Sequence, residues 1–350
     1  MKKISFLNKI LFVINFIFLL LLLLSYTAPY ISPSLFWPTA FLGLLFPILF
    51  LINLFFLILW FLNLKKLIWP NIIVLSMGIA FVDSYIGFSY QKKDLNYDMK
   101  IMSYNVRLFN KNQNISEPMI KEKIIDLIIK QDPDIICFQE FYNNDISKLN
   151  KNYFYKNHTE KNSLLLIYSK YPIIEKTNNK SALENTENMK NTFIFSDIKI
   201  NTDTVRIYNI HLASNWFNES EYEFMQNPSK EKLKAGTISI IKRMKKSYLK
   251  RSMQVEIIKN HINESPYPVI VCGDFNDTPL SYAYNHIKGE LKDAFNSSGK
   301  GIGSTITKMP ALRIDYILHD KNIQSINYKK INRKLSDHFA ISCELKINRR

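Results

Sequence analysis

Two hydrophobic patterns divide this chain. Up to about residue 94 apolar residues follow one another almost without a break, whereas from Met99 onward they come in short runs separated by polar stretches. The run "NKILFVINFIFLLLLLLSY", starting at Asn8, is uncharged after Lys9 and reaches the ~20 residues that a helix needs to cross ~30 Å of hydrocarbon. It predicts a membrane span near 10–29. "LFWPTAFLGLLFPILFLINLFFLILWFLNL" predicts a second near 35–62, and "LIWPNIIVLSMGIAFVDSYIGF" a weaker third near 67–88. Pro38 and Pro47 fit kinks, and Trp37 and Trp60 fit interfacial belts. Lys2 and Lys3 ahead of the first run also suit a secretory signal, but the length of that run and the two that follow it favour spans.

Beyond the linker the pattern changes to β-rich runs: "MKIMSYNV", "PDIICFQE", "SLLLIYS", "NTFIFSDIKI", "TVRIYNIHL", "YPVIVCGDF", "RIDYILHD" and "HFAISCELKI". Helical spacing is found in "EPMIKEKIIDLIIKQ" and from Lys230 to Ile262. Many strands with few helices between them predict an α/β (α+β) domain, two packed sheets with helices outside. The chain therefore divides into a membrane region, 1–94, and a second domain, 95–350.

Charge sharpens this division. The first 94 residues hold seven Lys or Arg and two acids, which leaves 39 basic and 28 acidic residues, a formal +11, for the remainder. Such a domain attracts polyanions or anionic lipid. Lys2, Lys3, Lys9, Lys65 and Lys66 fall on one side of three spans, and the first connecting loop, "SYTAPYISPS", has no charge. By the positive-inside rule the lysine side is cytoplasmic, so the expectation is a multi-pass bacterial inner-membrane protein with residues 95–350 in the periplasm or outside. If the third span fails to cross, that domain is cytoplasmic. Between Ser229 and Asn263 nine basic residues face only Glu231 before Glu256, which suits lipid head groups, nucleic acid or a solvated face. Cys137, Cys272 and Cys343 lie in apolar strand-like runs and are expected to be buried thiols without disulfides.

Polar residues recur where the strands end: Asn105, Glu140, His211, Asp274 with Asn276, Asp315, and Asp337 with His338. Strand ends converge at one rim, where a scaffold holds side chains rigidly. Carboxylates and a carboxamide are hard oxygen donors that suit Mg²⁺, with Mn²⁺ as an alternative, and the histidines can move protons. The combination points to metal-assisted phosphoester hydrolysis.

"SYNVR", "CFQE", "NIHLAS", "GDFNDTP", "RIDYIL" and "LSDHFAI", in this order, resemble the endonuclease/exonuclease/phosphatase superfamily, the DNase I-like fold, over roughly residues 99–347. The resemblance implies a four-layer sandwich of two packed sheets flanked by helices. It implies that Glu140 is the principal metal ligand, with Asn105 assisting and Asp337 completing the shell. Asp274 would position or deprotonate the attacking water, and Asn276 would hydrogen bond to the phosphate. His338 would contact the phosphate and transfer a proton, oriented by Asp315, and His211 would contact phosphate or act as general acid. Asp277 is expected to point away as turn chemistry. His158, His261, His286, His319 and Asp203 are expected to be structural.

The family resemblance implies a nuclease-like hydrolase first and a phospholipid or sphingolipid phosphodiesterase or phosphatase second. Its partners would then be membrane lipids and a nucleic-acid or phospholipid substrate. A tethered binding protein without catalysis is the reading from another class.

Overall fold

The computed structural model describes residues 5–63, 65–89, 96–110, 119–142, 146–158, 164–176, 189, 192–215, 221, 224, 233–307, 309 and 312–349. The boundary expected at 94/95 and the starts of both expected helices, 117–118 and 230–232, fall outside them.

The apolar N-terminal segment folds as helices α1 (Phe6–Ser25), α2 (Pro33–Phe36), α3 (Pro38–Asn63) and α4 (Trp69–Val82). By length and composition α1 and α3 can cross a membrane; α4 and the short turn before it form a shorter apolar helix. The third expected span, 67–88, therefore stops early. Beyond Asp83 the chain turns, and Ile86–Phe88 forms a strand, β1, because the edge of another strand is there to pair with it. Inside this bundle Asn15 donates to Asn71 Oδ1 at 3.1 Å and Asn53 Oδ1 at 3.4 Å, while Trp60 Nε1 donates to Asn15 Oδ1 at 2.8 Å. Apolar surroundings leave these buried amides no water, so they tie α1, α3 and α4 to one another.

The second part contains two six-stranded sheets. One has the order β13 (Ile323–Ile331), β14 (Ala340–Ile347), β2 (Met99–Asn105), β3 (Ile135–Gln139), β5 (Leu166–Ser169), β4 (Tyr155–His158). The other runs β10 (Lys292–Asp293), β12 (Asp315–His319), β9 (Val269–Asp274), β8 (Asp203–His211), β7 (Phe193–Ile200), β6 (Ile173–Lys176). β1 pairs with β11 (Lys300–Ile302) in a small third sheet. All eight expected strands are present. β13, with its Lys- and Asn-rich face, is among those that the apolar pattern did not reveal.

Strands here read as continuous apolar runs because both of their faces are covered. Ile101, Ile135, Cys137, Ile207, Ile270, Cys272, Ile317 and Cys343 pack between the sheets. On one outer face, helix α5 (Ile120–Gln131) sets Ile124, Ile125 and Ile128 against Met102, Tyr104, Ile136 and Phe138. On the other, α6 (Leu233–Asn263) and α7 (Tyr282–Lys288) set Val255, Ile258, Ala283 and Ile287 against Tyr208, Val271 and Leu318. The result is four layers, helix, sheet, sheet, helix.

The apolar bundle docks on this sandwich. Leu280 is buried in a cluster with Leu22, Tyr26, Phe46, Leu49 and Leu75. A side chain at Gly43 would run into the carbonyl of Leu280, so only glycine allows this approach. Asn285 Nδ2 donates to Pro29 O at 3.0 Å, and Gly303 N to Tyr85 O at 2.9 Å. Leu280→Ala in the full chain should lower stability to denaturant by about 2–5 kcal/mol, the cost of a lost core leucine and its cavity. An unchanged unfolding midpoint would contradict the docking.

Candidate active site at the rim of the sheet pair

Period two builds the site. In β2 the residues facing the other sheet are Met99, Ile101, Ser103 and Asn105; in β3 they are Ile135, Cys137 and Gln139. From the opposite sheet come Val205, Ile207, Asn209 and His211 of β8, Ile270, Cys272 and Asp274 of β9, and Ile317 and Asp315 of β12. Along each strand the inward face therefore changes from aliphatic or thiol residues to polar ones at the same end. Register locks them side by side: in the ladders His211 lies opposite Asp274, and Asp274 opposite Asp315.

An intermediate polar layer separates the core from the rim. Gln139 Nε2 donates to Asn209 Oδ1 at 2.7 Å and to Ser103 Oγ at 3.2 Å. Asn209 Nδ2 donates to the carbonyls of Phe138 at 2.7 Å and Leu166 at 3.0 Å. The bonds that Asn209 makes cross between the sheets and fix their spacing directly beneath the site. Sequence reading missed both amides, although each lies two residues before a rim residue or one before it on a core-facing strand.

Two rim residues require unusual backbone. β3 ends at Gln139, and continued alternation would send Glu140 to the outer face. Its φ of 49° turns the chain instead. Likewise β9 ends at Asp274, and Asn276 at φ 51° curls back so that its N–H reaches Asp274 Oδ1 at 2.8 Å. Asp274 and Asn276 are thus brought together by this turn and not by strand alternation. Left-handed non-glycine residues cost of order 1–3 kcal/mol each and persist where the surroundings over-determine them.

The resulting contacts are close. Asn105 Nδ2 donates to Asp274 Oδ2 at 3.0 Å and to Glu140 Oε1 at 3.2 Å. His211 Nε2 lies 3.7 Å from both Glu140 Oε1 and Asp274 Oδ2 and is a buried ring nitrogen without a hydrogen-bond partner among the described residues. His338 Nδ1 lies 2.9 Å from Asp315 Oδ2, and its Nε2 3.7 Å from Asp274 Oδ2. A carboxylate only accepts, so Nδ1 carries the proton toward Asp315. Asp315 is itself held by Thr305 Oγ1, which accepts from its N–H at 3.2 Å.

Charge follows from this packing. Burial opposes the imidazolium of His338, but Asp315 beside the ring and Asp274 beyond it outweigh burial and hold its pKa well above the ordinary value. Burial pushes the Asp274 carboxyl up; His338 opposes this, Asp315 reinforces it, and the net shift is upward.

Two expected residues meet other partners. Asp337 Oδ2 forms an ion pair with Arg107 Nη1 at 2.7 Å, and its Oδ1 accepts from Ser336 Oγ at 3.2 Å. Asn276 Nδ2 donates to Leu212 O at 3.0 Å and Asp274 Oδ2 at 3.3 Å. Both of its amide hydrogens thus steady the protein. Asp277 turns away from the rim into a buried pair with Arg251 Nε at 3.0 Å. Outside the rim, His261 bonds Tyr208 at 2.7 Å, His286 meets Glu256 at 3.1 Å, His319 meets a carbonyl at 3.0 Å, and Asp203 holds Arg349 at 2.8 Å.

The donors present fit a hard cation. Glu140 is partly exposed, with Asn105 against one oxygen and the unpartnered His211 nitrogen facing the same space. Asp274, Asp315 and His338 also lie close enough to share an ion, but the His338–Asp315 hydrogen bond already uses the ring nitrogen nearer to Asp315.

The model of the endonuclease/exonuclease/phosphatase family matches residues 102–236 and 247–338. The chain belongs to this family. Residues 8–85 match a separate domain of unknown function. No curated protein matches the chain. Among solved structures it is similar to an endonuclease/exonuclease/phosphatase family protein of Bacteroides thetaiotaomicron, at 16% identity and TM-score 0.51 over 71% of this chain and 96% of that one. It is also similar to the mannosyl-6-phosphatase Bt3783 of the same organism, at 15% identity and TM-score 0.51 over 71% and 99%. A humanized D. rerio TDP2 aligns at 17% identity and TM-score 0.51 over 71% and 98%. These likenesses establish the DNase I-like fold. The family acts on phosphoester bonds, typically with a divalent metal ion.

Two outcomes test this geometry. In metal-free protein with labelled histidine, His338 should titrate above the ~6.5 of a free side chain, and Asp315→Asn should bring that titration down. Titration unaltered by Asp315→Asn would contradict the pairing. Asn209→Ala, which takes one acceptor from Gln139 Nε2 and the Asn209 donor from the carbonyls of Phe138 and Leu166, should cost about 1–3 kcal/mol in denaturant unfolding; a neutral variant would show that the polar layer holds nothing together.

Proposed function

We propose that this protein is a membrane-tethered, divalent-metal-dependent phosphoesterase with a nuclease-like site. The observation that carries the reading is the convergence of Asn105, Glu140, His211, Asp274, Asp315 and His338 at one end of the inter-sheet face. Glu140 would hold Mg²⁺ or Mn²⁺, steadied by Asn105. What the cation supplies when bound is charge withdrawal from the phosphoryl oxygens. Asp274 sits among Asn105, Asn276 and both histidines, where it accepts the proton of the attacking water as the water oxygen bonds to phosphorus. His338, kept protonated by Asp315, faces the phosphate through Nε2 and returns a proton to the departing oxygen as its bond to phosphorus breaks. His211 offers its unpartnered Nε2 to a phosphoryl oxygen. Asp337, paired with Arg107, and Asn276, bonded to Leu212 and Asp274, position their neighbours.

The tether rests on α1 and α3. The connection 26–37, the end of α4 and β1 all lie at the end that docks on the sandwich, while Lys65 and Lys66 follow the far end of α3. In this reading the bundle (1–94) crosses three times, and domain 95–350 stands outside the cytoplasm. A phospholipid or sphingolipid substrate is the second reading, favoured by Leu280. It lies four positions beyond Asn276, a span of at most about 14 Å, and its side chain is buried against α1, α3 and α4. The rim is thus close to the bundle.

In phosphatidylcholine vesicles with Mg²⁺, the full chain should hydrolyse a phosphodiester from the set single-stranded DNA, RNA, sphingomyelin and phosphoinositide. Glu140→Gln and His338→Ala should each lower that rate by roughly 10²–10⁴-fold without moving the unfolding midpoint. Undiminished turnover in either variant would sink the assignment.

A further inference from the structure

We infer that the first half of α6 is a docking face for anionic lipid head groups, which holds the catalytic sandwich flat on the bilayer. The inference rests on the membrane reading of α1 and α3, and its geometry follows from α3. At 1.5 Å per residue its 26 residues span about 39 Å, some 9 Å more than a hydrocarbon core of ~30 Å. Lys65 and Lys66 fix the other end outside the hydrocarbon, so the excess of about six residues, 38–43, stands in the head-group layer. That is where α6 touches the bundle: Ala40 packs with Met244 and Tyr248, and Phe41 and Leu44 pack against the same cluster with Ile240. The rings of Phe41 and Tyr248 lie 5.2 Å apart, and Lys245 Nζ stands 5.0 Å from the Trp37 ring centre.

The flank of this half-helix beside that contact is exposed and mixed in character. Lys234, Ile238, Ile241, Lys242 and Lys246 are all exposed and recur at three- and four-residue steps, so they form one stripe. Beside them α2, which lies against α6, exposes Leu35 and Phe36. Lysines interleaved with exposed isoleucine, leucine and phenylalanine at head-group depth are what an interfacial helix needs on anionic lipid. Two arginines of the basic segment are engaged elsewhere. Arg243 forms an ion pair with Glu221 at 2.7 Å, and Arg251 with Asp277 at 3.0 Å. Among the described residues the exposed lysines of the segment, Lys234, Lys242 and Lys246, lie in the half of α6 that packs on the membrane helices.

Environment-sensitive fluorophores placed singly by Ile241→Cys, Leu51→Cys and Lys321→Cys test this in the full chain. The native Cys137, Cys272 and Cys343 are buried and do not compete for label. The protein is reconstituted in phosphatidylcholine vesicles with or without phosphatidylserine, using brominated acyl chains as quencher. The inference predicts quenching at 51 in both lipids, at 241 chiefly with phosphatidylserine, and none at 321, on a turn of the sandwich. Combined Lys234→Glu, Lys242→Glu and Lys246→Glu should abolish the quenching at 241 and leave that at 51. Quenching at 51 without quenching at 241 overturns the docking face while the membrane reading stands; absence at both overturns both. Equal quenching at 241 in the two lipids, insensitive to charge reversal, also overturns it. So does a label at 241 that responds to single-stranded DNA and not to lipid.

Discussion

The rest of the site depends on one constraint, the alternation of side chains along strands whose inner faces are sealed against each other. That alternation commits every second residue of β2, β3, β8, β9 and β12 to the space between the sheets. While those residues are Ile, Val, Met or Cys the space is a core; where they become Ser103, Gln139 and Asn209 it is a hydrogen-bonded floor. At the last step they are Asn105, His211, Asp274 and Asp315, and the same space is the candidate active site. The convergence of the polar rim residues and the packing of the core are thus the same geometric fact at different heights. Glu140 and Asn276 need left-handed backbone because they come from just beyond the strands, where alternation no longer serves.

The second dependency runs to the apolar bundle. Leu280 follows the "GDFNDTP" turn by one residue, and its carbonyl fits against Gly43 where no other residue would allow it. The turn that carries Asp274, Asn276 and the buried Asp277–Arg251 pair is thereby clamped between α6 on one side and α1, α3 and α4 on the other. β1, which continues from the bundle, adds a strand pairing to β11. The N-terminal region is therefore part of the support of the site.

Much of this was legible in the chain. The eight apolar runs marked strands because both faces of each are buried, and Asn105, His211, Asp274, Asp315 and His338 stood out because polar side chains interrupt such runs. What escaped had physical reasons. Gln139 and Asn209 resemble ordinary polar residues, and their roles depend on pairing across sheets that are distant in sequence. Arg107 and Arg251 carry charges that look solvated until their acids arrive from elsewhere in the fold. Residues 86–88 look like the tail of a membrane span because "YIGF" is apolar, but a strand edge at 300–302 captures them. Asn15, Asn53 and Asn71, isolated in apolar runs, gave no sign that they would meet.

The most direct measurement of the central claim is a crystal structure of the full chain soaked with Mn²⁺ and inorganic phosphate, read by the anomalous signal of manganese. The account predicts manganese at Glu140 beside Asn105, with phosphate within reach of His211 Nε2 and His338 Nε2. Manganese between Asp274, Asp315 and His338, with the His338–Asp315 hydrogen bond broken, would contradict it. So would phosphate bound away from the rim.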